Sequence, residues 1–482
     1  MSRIIGREKE LAEFNTLYNS GTAQLIAVYG RRRVGKTFLI DEALKGRITF
    51  RHAGLSPINE KGGKSMLKDQ LKHFYNSLQL HGMKKSRCPE SWLDAFFMLE
   101  KHLESIDSGK RQVIFLDELP WMDTPRSGFL TAFEGFWNTW GCHRDNLMVV
   151  VCGSANSWIL DNLINSHGGL YNRITYEMKL SPFTLNECEK FYKEKNIRMS
   201  RYDIVQANMI LGGIPYYMGY FTLNLSLAQN IDRLFFSESP KLRDEFDRLF
   251  ASVFSNPDDV KKVVRVLAGR NEGYTRQEIL NKAQYQEGGA LTKVLNALIA
   301  SDFICKYLPY GSKGKDVHYK LTDPFCIFYL KFLSRKEELV PDFWANNQNS
   351  QSVVSWRGFA FEGVCFRHIN QIKRALGIAG VVSSQSSWVV RGTEETDGCQ
   401  IDMLINRKDN VMNMCEMKFY NEVFTVTKAY HMTLTHRQNI LSETLPRRTS
   451  VHSTLITTYG LKYNEYSGDF QQVVTLDDMF LP

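Results

Sequence analysis

Residues 24–44 read Gln24-Leu25-Ile26-Ala27-Val28-Tyr29, then Gly30-Arg31-Arg32-Arg33-Val34-Gly35-Lys36-Thr37, then Phe38-Leu39-Ile40-Asp41-Glu42-Ala43-Leu44. The first block is an apolar run of buried-strand length, and the last has helical period. Between them stand two glycines with four residues between them, followed by Lys and Thr. That is a strand, a glycine-rich turn and a helix, the context a phosphate cradle requires. Glycines let backbone N–H groups close around phosphates, and the helix N-terminus adds positive potential. Gly30, Arg33, Val34, Gly35, Lys36, Thr37 and Phe38 are the candidate nucleotide-binding residues. Lys36 would reach the β- and γ-phosphates, and the Thr37 hydroxyl would ligate Mg²⁺. The alternative is a glycine turn that merely starts a helix.

A second element argues against that alternative. Val113-Ile114-Phe115-Leu116-Asp117-Glu118 reads as a buried strand ending in two carboxylates, about 80 residues beyond Lys36. Asp117 is placed to hold Mg²⁺, and Glu118 to act as general base on the attacking water. Leu147-Met148-Val149-Val150-Val151-Cys152-Gly153-Ser154-Ala155-Asn156 is a further apolar strand with a polar tip, making Ser154 and Asn156 candidate γ-phosphate sensors.

Two flanks complete a set. Ile4-Ile5-Gly6-Arg7-Glu8 precedes the glycine-rich turn, and Leu211-Gly212-Gly213-Ile214-Pro215 follows the strand Ile174–Leu180. In order and spacing, residues 1–240 resemble an AAA+/STAND-type P-loop ATPase with a helical lid, most like the archaeal-type ATPase family. The resemblance implies a parallel sheet, ATP and Mg²⁺ as cofactors, Arg7 beside the adenine and Pro215 in the lid turn. It also implies that Arg173, just before the strand at Ile174, is an arginine finger acting in trans within a homo-oligomer. A surface arginine at a strand start accounts for Arg173 equally well.

Residues 256–339 read as three helices and two short strands around Gly311-Ser312-Lys313-Gly314-Lys315, an order that resembles a winged helix. In the third helix Leu291, Val294, Leu295 and Leu298 form the buried stripe, leaving Lys293 as the one outward cation. Lys306, Lys313, Lys315 and Lys320 on the wing are available to phosphates, which fits non-specific DNA contact better than base reading. A spacer that packs against its neighbours is the alternative.

Residues 340–482 contain Asp402 in one predicted strand and Glu416-Met417-Lys418 closing the next. Alternation puts Glu416 and Lys418 on one face, beside Asp402 across the ladder. Glu362 lies upstream on a predicted helix, Trp356 to Phe366. Two carboxylates can hold Mg²⁺, and a lysine beside the metal can activate water or stabilise phosphate charge. Glu-x-Lys alone decides nothing, because Glu177-Met178-Lys179 repeats it in the first domain. The order Glu, Asp, Glu-x-Lys resembles the PD-(D/E)XK nuclease fold, a restriction-endonuclease-like α/β domain. It implies Glu362, Asp402 and Glu416 as metal ligands and Asp402, Glu416 and Lys418 as catalytic residues acting on DNA. Gln400 stands where relatives often carry a second acid. An inactive relic with a structural Lys–Glu pair is the alternative; Lys428 and Arg437 on the next helix are either phosphate contacts or a solvated face.

Composition sets the frame. At 482 residues the chain has room for about three domains, and 43% apolar with 23% charged residues excludes a disordered or fibrous chain. No apolar run nears the ~18 residues of a membrane span, and the N-terminus has no signal-peptide pattern. Nine scattered cysteines without a Cys-x-x-Cys pair suit a reducing cytoplasm. The net charge of +8 is uneven. Residues 256–339 carry 14 Lys+Arg against 10 Asp+Glu, whereas residues 340–482 carry 13 against 14. An anionic partner would therefore meet the middle of the chain first.

Overall fold

The computed structural model describes residues 4–482 apart from 57–65, 155–156, 165–169, 171, 252–253, 255, 286–287, 313–315, 335–339 and 391–397. Asn156 and the wing lysines Lys313 and Lys315 lie outside the described residues. The chain forms two compact units: residues 1–181 with 292–302, and residues 182–291 with 303–482. The first boundary precedes the expected end of the ATPase segment at residue 240.

In the first unit, β1 (Gln24–Gly30), β2 (Phe50–Ala53), β3 (Gln112–Asp117), β4 (Leu147–Ser154) and β5 (Tyr176–Leu180) make one sheet in the order β2-β3-β4-β1-β5. Every pairing is parallel. A parallel sheet covered on both faces needs near-continuous apolar strands, and β3 and β4 are buried at every residue. Helices Leu67–Leu80, Trp92–Ser105 and Phe129–Thr139 supply an aromatic cover, with Phe74, Trp92, Phe96, Phe129, Phe133 and Phe136 in one cluster. The repeating aromatics of residues 129–140 are thus core. β5 begins two residues later than its apolar pattern suggests, because the Thr175 amide bonds to the Leu25 carbonyl before the ladder proper starts.

One glycine of the cradle is fixed by packing. Gly30 has φ 150°, and a Cβ there would lie 2.3 Å from the Leu180 carbonyl oxygen of β5. Gly30→Ala must therefore push β1 from β5 at the base of the cradle. The expected cost is about 2–5 kcal/mol, from strain and overpacking; the urea unfolding midpoint measures it.

The second unit begins with helices Leu185–Glu194, Arg201–Leu211, Pro215–Met218, Leu227–Phe235 and Glu245–Ala251. Next come helices Pro257–Leu267 and Arg276–Lys282 and a small antiparallel sheet of β6 (Tyr274–Thr275), β7 (Ile304–Tyr307) and β8 (His318–Leu321), in the order β6-β8-β7. The helix Gly289–Ala300 precedes β7, and its residues from Thr292 onward group with the first unit. Thr292, Lys293 and Asn296 are exposed, as the sequence pattern predicts.

The remainder is a mixed five-stranded sheet of β9 (Ser383–Val390), β10 (Cys399–Arg407), β11 (Val411–Lys418), β12 (Ser450–Thr457) and β13 (Gln472–Val474), in the order β13-β12-β11-β10-β9. β9, β10 and β11 pair antiparallel, while β11, β12 and β13 pair parallel. Helix Lys428–Thr444 makes the β11-to-β12 crossover. Its Leu434 and Leu441 bury against Ile401, Leu404, Met412, Met414 and Leu455. Helix Gln351–Arg367 also packs on β11. All nine cysteines are free, and no helix among the described residues is long and apolar enough to cross a membrane.

Candidate functional site

The parallel sheet gathers the first constellation. β4 lies between β1 and β3, and its register pairs Ser154 with Gly30, so the polar strand tip sits beside the cradle. The helix Lys36–Ala43 starts on Gly35, which is left-handed. Arg33 is also left-handed at φ 72°, a strained state for a side-chain-bearing residue that aims successive amides inward. The Lys36 ammonium is buried and donates to the carbonyls of Gly30 (3.3 Å) and Arg31 (3.2 Å). Backbone oxygens thus hold the place a phosphate oxygen would take.

Thr37 Oγ1 donates to Asp117 Oδ2 at 2.9 Å, and the Glu118 amide donates to Asp117 Oδ1 at 2.9 Å. The two groups expected at Mg²⁺ therefore already face each other, a donor set suited to a hard divalent cation. Bound there, Mg²⁺ would neutralise developing phosphate charge. Glu118 is left-handed at φ 47°, which turns its side chain off the strand direction. Burial pushes its carboxyl above the usual range; Lys36, Arg32 and the Ser154 amide N–H pull it back. It is a carboxylate tuned upward towards base chemistry.

Residues outside the motifs shape this pocket. A Cβ at Gly54 would meet the Glu118 carbonyl oxygen at 2.8 Å and Trp121 Cβ at 3.0 Å, so only glycine lets β2 approach so closely. The buried Cys152 thiol bonds to Asp117. Neither position has a motif signature.

The remaining expected residues divide. Val34 is buried, whereas Phe38 is 42% exposed. Arg7 is buried and left-handed, and donates to the Ser181 carbonyl at 2.6 Å. Pro215 opens the helix Pro215–Met218 in the second unit. Arg173 is exposed before β5. Since Thr175 aligns with Leu25 and β1 and β5 run parallel, Arg173 lies at the end of the strands opposite its own cradle, roughly 20 Å away at ~3.3 Å per residue. It cannot serve its own site.

The second constellation is only partly as expected. β10 and β11 are antiparallel with Met403 opposite Cys415, which brings Asp402 towards Glu416. A register shift against β9 between Ile401 and Leu404 puts Asp402 in an irregular stretch, where bulges re-aim side chains. Asp402 Oδ2 lies 3.5 Å from the Met417 amide. Burial and the Glu416 carboxylate push Asp402 up, while Lys418 opposes. Glu362 is pushed up to about 8 by burial and by Asp402, with Lys320 and Lys418 pulling the other way. Asp402 therefore stands between two carboxylates.

The three expected metal ligands do not converge: among the described residues no group of three His, Cys, Asp or Glu side chains is placed to hold a metal. Glu416 is the reason. It is fully buried on the face that carries Met412 and Met414, where helix Lys428–Thr444 covers it. Arg437 donates to Oε1 at 2.5 Å, the Tyr430 hydroxyl donates to Oε2 at 2.6 Å, and Lys418 Nζ lies 3.4 Å from Oε2. Arg437 is thus neither a solvated cation nor a phosphate contact in this state. Lys428 is exposed. Arg437→Ala leaves a buried carboxylate short of its strongest partner and is expected to cost about 3–5 kcal/mol, measured by chemical denaturation; Arg437→Lys should restore part of it.

Residues 4–221 match the family model described as an ATPase domain predominantly from Archaea. The chain is 24% identical over 425 residues to MJECL04 of Methanocaldococcus jannaschii, described as uncharacterized, covering 86% of this chain and 87% of that protein. Among solved structures it resembles the Walker-type ATPase PABY2304 of Pyrococcus abyssi, at 20% identity and TM-score 0.50, over 68% of this chain and 96% of that one. The ORC2 protein of Aeropyrum pernix matches at 12% identity and TM-score 0.40, over 68% and 93%. The parallel sheet with its phosphate cradle is a P-loop ATPase domain. More particularly, residues 4–221 are similar to an ATPase domain found predominantly in Archaea.

Proposed function

We propose that this chain is an ATPase whose nucleotide state governs Mg²⁺-dependent DNA cleavage by residues 340–482. In this reading residues 1–240 are the ATPase with its lid, residues 256–339 form a winged helix that contacts DNA, and Arg173 completes the site of a neighbouring copy. The observation that carries the nuclease part is the grouping of Glu362, Asp402 and Lys418. Burial and the Asp402 carboxylate raise Glu362, burial and the Glu416 carboxylate raise Asp402, and Lys418 opposes both, a crowding of negative charge that a divalent cation would relieve. The three-helix, three-stranded order and basic charge of residues 256–339 support the DNA contact.

The test is cleavage of single-stranded, duplex and branched DNA with Mg²⁺ or Mn²⁺, with and without ATP. Asp402→Ala and Lys418→Ala should abolish cutting and retain ATP hydrolysis, while Lys36→Ala should abolish nucleotide binding. Wild-type protein that cuts none of these substrates would remove the nuclease reading.

A second reading has its own support. With Glu416 neutralised by Arg437 and Tyr430, the C-terminal fold would be a scaffold in a STAND-type switch. Tightly held nucleotide, slow hydrolysis and indifference to Asp402→Ala would favour it.

A further inference from the structure

A cavity of about 280 Å³ in the second unit lies among the helix Gln351–Arg367, β8, the segment 267–271 and the helix Pro324–Phe332. Its apolar wall includes Leu321, Pro324, Ile327, Trp356 and Phe359. Four cations line it. Arg270 is committed to both oxygens of Glu278 at 3.0 Å, and Arg367 to Asn208 and the Thr322 carbonyl. Lys320 and Lys331 have no hydrogen-bond or ion-pair partner among the described residues; Lys320 passes over the Phe366 ring at 5.8 Å and acts on Glu362 through its charge. Trp356 is 5% exposed, and its indole N–H has no hydrogen-bond partner among the described residues. A buried donor left unpaired is costly, and here it belongs to a cavity wall. Glu362 is the single acidic side chain among the described lining residues.

Two free ammonium groups and an orphan N–H, set against an aromatic and aliphatic wall, ask for an anion rich in acceptors that also carries an apolar ring. The volume holds about nine waters at ~30 Å³ each. That is generous for a bare phosphate and too small for a duplex.

We propose that this cavity binds one nucleotide phosphomonoester, its phosphate on Lys320 and Lys331 and its base or sugar against Trp356 and Phe359. The ligand is either the phosphorylated end of a DNA strand or a free mononucleotide; the chemistry is shared. The inference deepens the nuclease reading, because Glu362 belongs to both, but binding is read without metal and without cleavage, so an inactive nuclease leaves it standing.

The experiment is calorimetric titration of the full chain without divalent cations, in a Lys36→Ala background that silences the P-loop. The probes are thymidine monophosphate, thymidine, and a short oligothymidylate with or without a 5′-phosphate. The monophosphate should bind at least tenfold tighter than thymidine. Lys320→Ala and the exposed Lys331→Ala should each lose about tenfold, the ~1.4 kcal/mol of one ion pair with phosphate, and Trp356→Phe severalfold. Tight binding of only the phosphorylated oligonucleotide, displaced by the monophosphate, assigns the strand end. Binding of the monophosphate with exclusion of the oligonucleotide assigns a free nucleotide. Absence of monophosphate binding, or equal binding by a folded Lys320→Ala/Lys331→Ala protein, overturns the proposal.

Discussion

Glu118→Gln is expected to lower ATP turnover by two to four orders of magnitude, the usual contribution of a positioned general base, while ATP stays bound. The binding contacts expected of the cradle come from Lys36, Thr37 and backbone amides, and Gln is isosteric with Glu. Asp117 is held by the Thr37 hydroxyl and by the backbone amide of residue 118, and the change alters neither, so the Thr37–Asp117 pair stays in place. The pH dependence follows from the direction of the shift. Burial raises the folded-state pKa of Glu118, and the working form is the ionised base. Turnover should therefore be full at high pH and fall with acid, around a midpoint above the ~4.3 of an unperturbed glutamate. Single-turnover hydrolysis against pH, with nucleotide retention on a filter, measures both effects. A Gln variant that hydrolyses at the wild-type rate would reassign the base.

The ATPase site was largely legible in the sequence because its chemistry is local. A buried strand must be apolar along its length, a phosphate cradle needs glycines at fixed offsets, and both signals survive without knowing the fold. What the sequence left out is non-local. Nothing in residues 50–54 announces that a Cβ at Gly54 would strike Glu118, since the two meet only when β2 pairs with β3. The C-terminal site shows the same limit more sharply. Periodicity put Glu416 and Lys418 on one face, and the register agrees. It could not say that helix Lys428–Thr444 lays Arg437 and Tyr430 on Glu416. Nor could it foresee that Lys320, which looked like a wing cation for DNA, faces Glu362. Helical spacing gives a face; the partner of that face is a tertiary fact.

The same arrangement ranks the C-terminal carboxylates. Asp402 lies between Glu362 and Glu416 and beside Lys418, whereas Glu416 already has three partners. In the nuclease reading, Asp402→Asn should thus cost cleavage the most. Losing about 4 kcal/mol of metal-assisted charge stabilisation is about a thousandfold in rate. Glu362→Gln should cost less, because it leaves Asp402 in place with Glu416 and Lys418 beside it. A variant that removes the like-charge conflict also stabilises the metal-free fold at neutral pH. The folded-state pKa of Glu362 lies above its unfolded value, so its ionisation opposes folding progressively between the ordinary glutamate range and about pH 8. Mn²⁺ separates the two readings of this domain. In a nuclease, added Mn²⁺ raises the melting temperature of the wild type by mass action, and Asp402→Asn abolishes that rise together with cleavage. In a scaffold, Asp402→Asn raises the melting temperature at pH 8 with or without Mn²⁺, because only a buried charge has been removed.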